Sequence, residues 1–133
     1  MFRPGYVEVS ERDKMFSQRK ALGQPAITDP MQVIHEAVQP ADGEVVVGKH
    51  RVNALFGTDL DMILRANNID TIILLCYAIS GVVLSTTRYA ADSDYQIIII
   101  EDYCVDADSE VHDFLTQKNF PASGRRGAVS GCD

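Results

Sequence analysis

At 133 residues the chain is at most one ordinary domain, long enough to bury a single core. Its 46% hydrophobic and 23% charged residues are those of a soluble globular protein, and no apolar run is long enough to cross a membrane. A net charge of -7 argues against a nucleic-acid surface, which needs clustered Lys and Arg.

In chain order, Met1 to Pro40 is the least regular part. Phe2-Arg3-Pro4-Gly5-Tyr6 is turn chemistry, and Ser10 to Leu22 predicts a short helix over Met15, Phe16, Arg19 and Leu22. Pro25, Pro30 and Pro40 interrupt the stretch after that helix. From Asp42-Gly43 the pattern turns regular. Glu44 to Gly48 is Val-rich and predicts a strand. Thr58-Asp59-Leu60-Asp61 resembles a capping box, Leu60, Ile63 and Leu64 give a helical stripe, and Asn67-Asn68 stop it.

Ile69 to Ile79 is apolar on both faces, as a strand inside a parallel sheet is. A small-residue turn at Ser80-Gly81 opens a helix over Val82 to Ala91, with Ser80 as its expected N-cap. Tyr95 to Ile100 predicts a third strand, and Ser109 to Asn119 a third helix capped by Asp108 or Ser109. After Pro121 the chain is small, polar and Gly-rich, with no strand signal. The expected division is one domain over 1–121 and a disordered tail over 122–133.

The β-α-β-α-β-α order predicts an α/β fold with a parallel sheet and helices on its faces. Three strands make a thin sheet with unpaired outer edges, and Tyr95 to Ile100 is strongly β-prone. Either Met1 to Pro40 supplies further strands or another chain covers these edges, and a homo-oligomer is the expectation.

These residues resemble the isochorismatase-like cysteine hydrolase family. The resemblance rests on Val45 to Leu60 (VVVGKHRVNALFGTDL), on Ser80 to Thr86 (SGVVLST), on Asp94-Tyr95 and the strand ending at Glu101-Asp102, and on the opening Phe2 to Ser10. It implies a three-layer α/β/α, Rossmann-like fold, here without the family's first strands and last strand. It also implies an Asp, a Lys and a nucleophilic Cys that hydrolyse amides or the vinyl ether of isochorismate. No cofactor or metal is expected for this chain.

The chemistry such a site needs is plain. A thiol at a helix N-terminus is favoured as thiolate by the dipole and unpaired N–H groups, a Lys adds positive charge, and an Asp moves the proton. Carried over by position, the family's Lys falls on Lys49, but its Cys falls on Val82, and its Asp has no counterpart. Valine cannot attack a carbonyl. His50 lies beside Lys49 and is expected to line the same cleft, and Ser80, Gly81 and Val82 form the turn that would meet a ligand.

Other candidates have plainer readings. Cys76 lies within an apolar strand, where a thiol behaves as a small hydrophobe, and Cys104 and Cys132 show no ligand spacing. Ser80, Ser85, Thr86 and Thr87 read as capping and packing groups, and His35, His50 and His112 form no recognisable triad order with them. Eight acidic residues and no Lys or Arg lie between Asp92 and Asp113, and Asp102, Asp106 and Asp108 read as loop and capping residues rather than metal ligands. An odd cysteine count and no leader-type N-terminus fit a reducing, cytoplasmic setting.

Two functional expectations result. One is a family member without cysteine-hydrolase activity, a pseudoenzyme that binds a small carbonyl or carboxylate compound or serves in assembly. The other is a hydrolase that works through Lys49 with water or with a residue from another subunit. Neither involves nucleic acid or a membrane.

Overall fold

The computed structural model describes residues 2–23, 34–120 and 125–127. Internal packing divides the chain into two units, Met1–His50 and Arg51–Asp133.

The first unit is built from turns and one helix. Pro4–Tyr6 forms a single tight turn, and α1 spans Lys14–Ala21. Asp13 caps α1 by accepting from the Phe16 N–H at 3.1 Å, which fixes where the helix begins. Phe2 and Phe16 are buried, with ring centres 5.7 Å apart in an edge-to-face pair, and Tyr6 leans on Phe2 at 5.5 Å.

The strand expected at Glu44 to Gly48 does not form; that stretch is extended without sheet pairing. Val45 and Val46 are 63% and 60% exposed. β propensity measures how well a side chain fits a pleated, half-buried surface, and these valines have none to fit.

The second unit carries the sheet. Helix α2 (Leu60–Ala66) ends at Asn67, and Asn68 takes a left-handed conformation, φ 55°, that releases the chain into β1 (Thr71–Tyr77). A wide, π-type turn over Ile79–Val83 leads into α3 (Leu84–Asp92). Then come β2 (Gln96–Val105), α4 (Ser109–Phe114) and a second wide turn over Leu115–Asn119. Asp108 caps α4 as expected, accepting from Glu110 N at 2.9 Å and Val111 N at 3.2 Å.

The sheet is parallel throughout, in the order β1-β2-β3, and α3 packs against β2. The third strand, β3, is Arg125–Gly127, paired to Ile98–Ile100 inside the stretch expected to be a structureless tail. Its sequence has no apolar pattern; the open edge of β2 supplies the pairing. The remaining tail residues, and with them Cys132, lie outside the described set.

Register between β1 and β2 is regular from Thr71↔Gln96 to Leu74↔Ile99, then breaks: the next pairs are Cys76↔Cys104 and Tyr77↔Val105. Two steps along β1 match five along β2, an irregularity larger than the one extra residue of an ordinary bulge.

The core lies on one face of this sheet. Ile97 and Ile99 of β2, Ile79 and Val83 of the turn, Ala90 of α3, Leu115, Phe120 and Leu55 form one buried cluster, with Ile72, Leu74 and Cys76 of β1 packed on it. On the opposite face of β1, Ile73, Leu75 and Tyr77 are 58%, 58% and 68% exposed.

Candidate functional site

The C-terminal ends of parallel strands, where helices begin, are where open α/β sheets place their chemistry. In the second unit β1 and β2 end side by side. The Tyr77–Ala78 peptide bond is cis, and Ala78, not Ser80, is the residue that precedes the first turn. Ser80 sits one residue inside that turn, so its expected N-cap role is replaced by another residue's carboxylate. Asp106, just past β2, accepts from the Ser80 N–H through Oδ2 at 2.8 Å. Its Oδ1 accepts from the Asp108 N–H at 3.3 Å. The Ser80 hydroxyl and then the backbone N–H groups hold the Asp106 carboxyl below its ordinary range.

This changes what the turn offers. A helix start presents unpaired N–H groups and a positive dipole end. Here the Ser80 donor is taken by an anion belonging to the protein, and Val82 N–H donates to Ala78 O at 3.0 Å. Val82, where the sequence resemblance sets the nucleophile, is half-buried. A methyl added at Gly81 would meet Val52 Cγ1 at 3.6 Å, an ordinary contact, so space does not demand glycine there.

Val52 is held in place by a polar latch onto α3. Asn53 Nδ2 donates to Ser85 O at 2.9 Å, while its Oδ1 accepts from Leu55 N at 2.7 Å and Phe56 N at 3.0 Å. Ala54 N–H donates to Thr86 Oγ1 at 3.1 Å, and Thr58 Oγ1 donates to Ala54 O at 2.7 Å. Thr86 is thus a buried acceptor tying a loop to a helix, and Thr87 is fully buried. The hydroxyls on α3 read as packing and latch groups, as their sequence context indicates.

Lys49 and His50 close the first unit, both half-buried. His50 Nδ1 lies 3.3 Å from Glu8 Oε1, which also accepts from the Arg3 N–H at 2.7 Å. Burial pushes the Glu8 carboxyl up, but backbone N–H groups of Arg3 and Glu8 itself, with His50 beside them, leave it below its usual value. His35 uses its Nδ1 to accept from Ala37 N at 3.2 Å and so caps a short turn. Among the described residues no cluster of His, Cys, Asp and Glu is arranged to hold a metal ion.

Sequence reasoning missed the roles of Asp106 and Asn53, which organise the turn. Asp106 and Ser80 are 26 positions apart and Asn53 and Ser85 32 apart, so no local pattern announces either contact.

The chain matches the isochorismatase domain over residues 3–125. An uncharacterised isochorismatase family protein of Bacillus subtilis is 40% identical over 84 residues, which cover 63% of this chain and 44% of that protein. A maleamate amidohydrolase of Pseudomonas putida is 31% identical over 85 residues, 64% of this chain and 40% of that enzyme. The chain thus spans less than half the length of either relative. A cysteine hydrolase of Pseudomonas syringae pv. phaseolicola superposes with a TM-score of 0.82 over 95% of this chain and 63% of that one; at 22% identity this likeness speaks for the fold alone. No helix among the described residues is long and apolar enough to cross a membrane.

Proposed function

From the premise that this chain belongs to the isochorismatase family, with its Rossmann-like α/β fold, we propose a member that binds a small carbonyl compound without forming a covalent intermediate. The observation that carries this reading is Val82 in the first turn after β1, where covalent chemistry needs a nucleophile. Ser80, Gly81 and Val82 are the ligand-facing residues in this proposal. Asp106 sharpens the ligand class. A carboxylate already sits on the Ser80 N–H, and like charges at a few ångströms disfavour a second one, so a neutral amide fits better than an acid.

The test is a panel of amides, N-carbamoyl compounds, isochorismate-type vinyl ethers and the matching acids, measured for both binding and turnover. Saturable amide binding without turnover is expected. The Val82→Cys variant places a thiol at the helix start; an acyl adduct on it would show that the rest of the turn still serves the family's geometry.

A second reading has one observation in its favour: a relative 31% identical is named for amide hydrolysis. Under it the chain is a hydrolase using Lys49 with water, or with a residue from another subunit, and His50 beside it. Turnover by the wild type that Lys49→Ala abolishes would establish this reading in place of the first.

The exposed row Ile73, Leu75 and Tyr77 on an edge strand supports the homo-oligomer in either case. Light scattering of the wild type against Leu75→Lys measures it; a monomer at high concentration in both would remove the assembly role. A cytoplasmic setting completes the proposal.

A further inference from the structure

Cys76 and Cys104 are register partners on adjacent parallel strands, beside the break in register. Both face the core: Cys104 is buried, and the half-buried Cys76 packs on the same cluster. Both are thiols. Neighbouring strands lie about 4.8 Å apart. Disulfides span Cα separations of about 4.4–6.8 Å, a range that includes the ordinary spacing of register partners on adjacent strands. Their sulfurs bracket one stretch of β1. Cys76 Sγ donates to Tyr77 O at 3.0 Å, and Cys104 Sγ lies 4.0 Å from Leu74 O. Burial pushes the Cys104 thiol up, and a hydrogen bond from the Cys76 N–H opposes this.

We propose that Cys76 and Cys104 are a redox-active dithiol that closes to an intramolecular disulfide on reaction with a low-molecular-weight disulfide. The half-buried Cys76 reacts first. Its thiolate attacks one sulfur of the small disulfide, that S–S bond breaks, and one small thiolate leaves and takes up a proton. Cys104 then loses its proton to solvent and attacks the Cys76 sulfur, and the second small thiolate leaves. Two protein thiols are oxidised and one small disulfide is reduced to two thiols. The bridge would pin β1 to β2 two residues before Ala78, immediately below the turn that carries Ser80 to Val82. This inference stands on strand register and does not depend on the ligand proposed above.

The experiment is incubation of the folded Cys132→Ser protein with oxidised glutathione, then thiol counting and peptide mapping with and without reductant. The expected result is loss of both thiols, a cross-linked peptide pair containing Cys76 and Cys104, and recovery of both thiols with dithiothreitol. In the Cys104→Ser background the expected product is a persistent glutathione adduct on Cys76. A persistent adduct on Cys76 with Cys104 intact, or two thiols unchanged under conditions that oxidise a reference dithiol, overturns the proposal. Mapping of the protein with both cysteines decides the matter even if the Cys104→Ser variant fails to fold.

Discussion

The two units of this chain are held together by different means. Met1–His50 relies on short-range devices: a tight turn, a capped helix, three aromatic rings and the Arg3–Glu8–His50 contacts. Arg51–Asp133 relies on a parallel sheet whose strands are joined through helices, with the buried cluster spread from Leu55 to Phe120. Local devices fix individual turns and contribute little cooperativity; a sheet with one core ties distant segments into one unfolding event. The contrast teaches how firmly each candidate residue is held. The Ser80–Val82 turn is built into a cooperative core, whereas Lys49 and His50 end a region organised mainly by its neighbours in sequence.

The sharpest way to break this comparison is a pair of truncations. Ile99→Ala removes a side chain 1% exposed at the centre of the sheet and is expected to cost about 2–5 kcal/mol in urea unfolding. Phe16→Ala, in the first unit, is expected to erase amide protection over Lys14–Ala21 while leaving protection of β1 and β2 in place. Equal loss of protection in both units would show one cooperative body and end the contrast.

A smaller effect is expected at the latch. Asn53→Ala removes three hydrogen bonds, one to α3 and two within its own loop, and is expected to cost about 1–3 kcal/mol. The same change loosens the loop that carries Val52 near Gly81, so amide affinity in the binding panel should fall with it. Unchanged affinity would detach the loop from the proposed site.

The smallest effect is at Asp106. Asp106→Ala is expected to cost about 1 kcal/mol, as the loss of a helix cap does. Because the folded-state pKa is depressed, the unfolded chain binds the proton more readily. The contribution is therefore complete above the ordinary carboxylate range and fades as pH falls through that range and below. Urea midpoints of wild type and Asp106→Ala should differ at neutral pH and converge on acidification. The variant should also accept the acids that the wild type refuses.

The legible part of the fold is the part written in local signals. The stripe of Leu60, Ile63 and Leu64, the stop at Asn67-Asn68, the apolar run of β1, the Ile-rich start of β2 and the Asp108 cap all appear where their sequences predict. The illegible part depends on partners far along the chain. Val45 to Val47 have the composition of a strand but lack a sheet neighbour, while Arg125–Gly127 has no such composition and pairs because the β2 edge is there. The residues of the candidate site are visible in the sequence as a turn. Its charge is not, because Asp106 reads locally as one more loop acid.

The break in register between β1 and β2 has a consequence for how such a turn can change over time. Continued from Leu74↔Ile99, regular pairing would set Ala78 level with Tyr103; continued from Tyr77↔Val105, the observed pairing sets it level with Asp106. The three additional residues on β2 therefore choose whether a phenol or a carboxylate arrives beside the Ile79–Val83 turn. A gain or loss of chain length in the stretch between Ile100 and Tyr103 would re-address that position without any substitution at Ser80, Gly81 or Val82. Under the binding proposed for Ser80 to Val82, ligand preference would thus drift through insertions and deletions in a strand outside the proposed site.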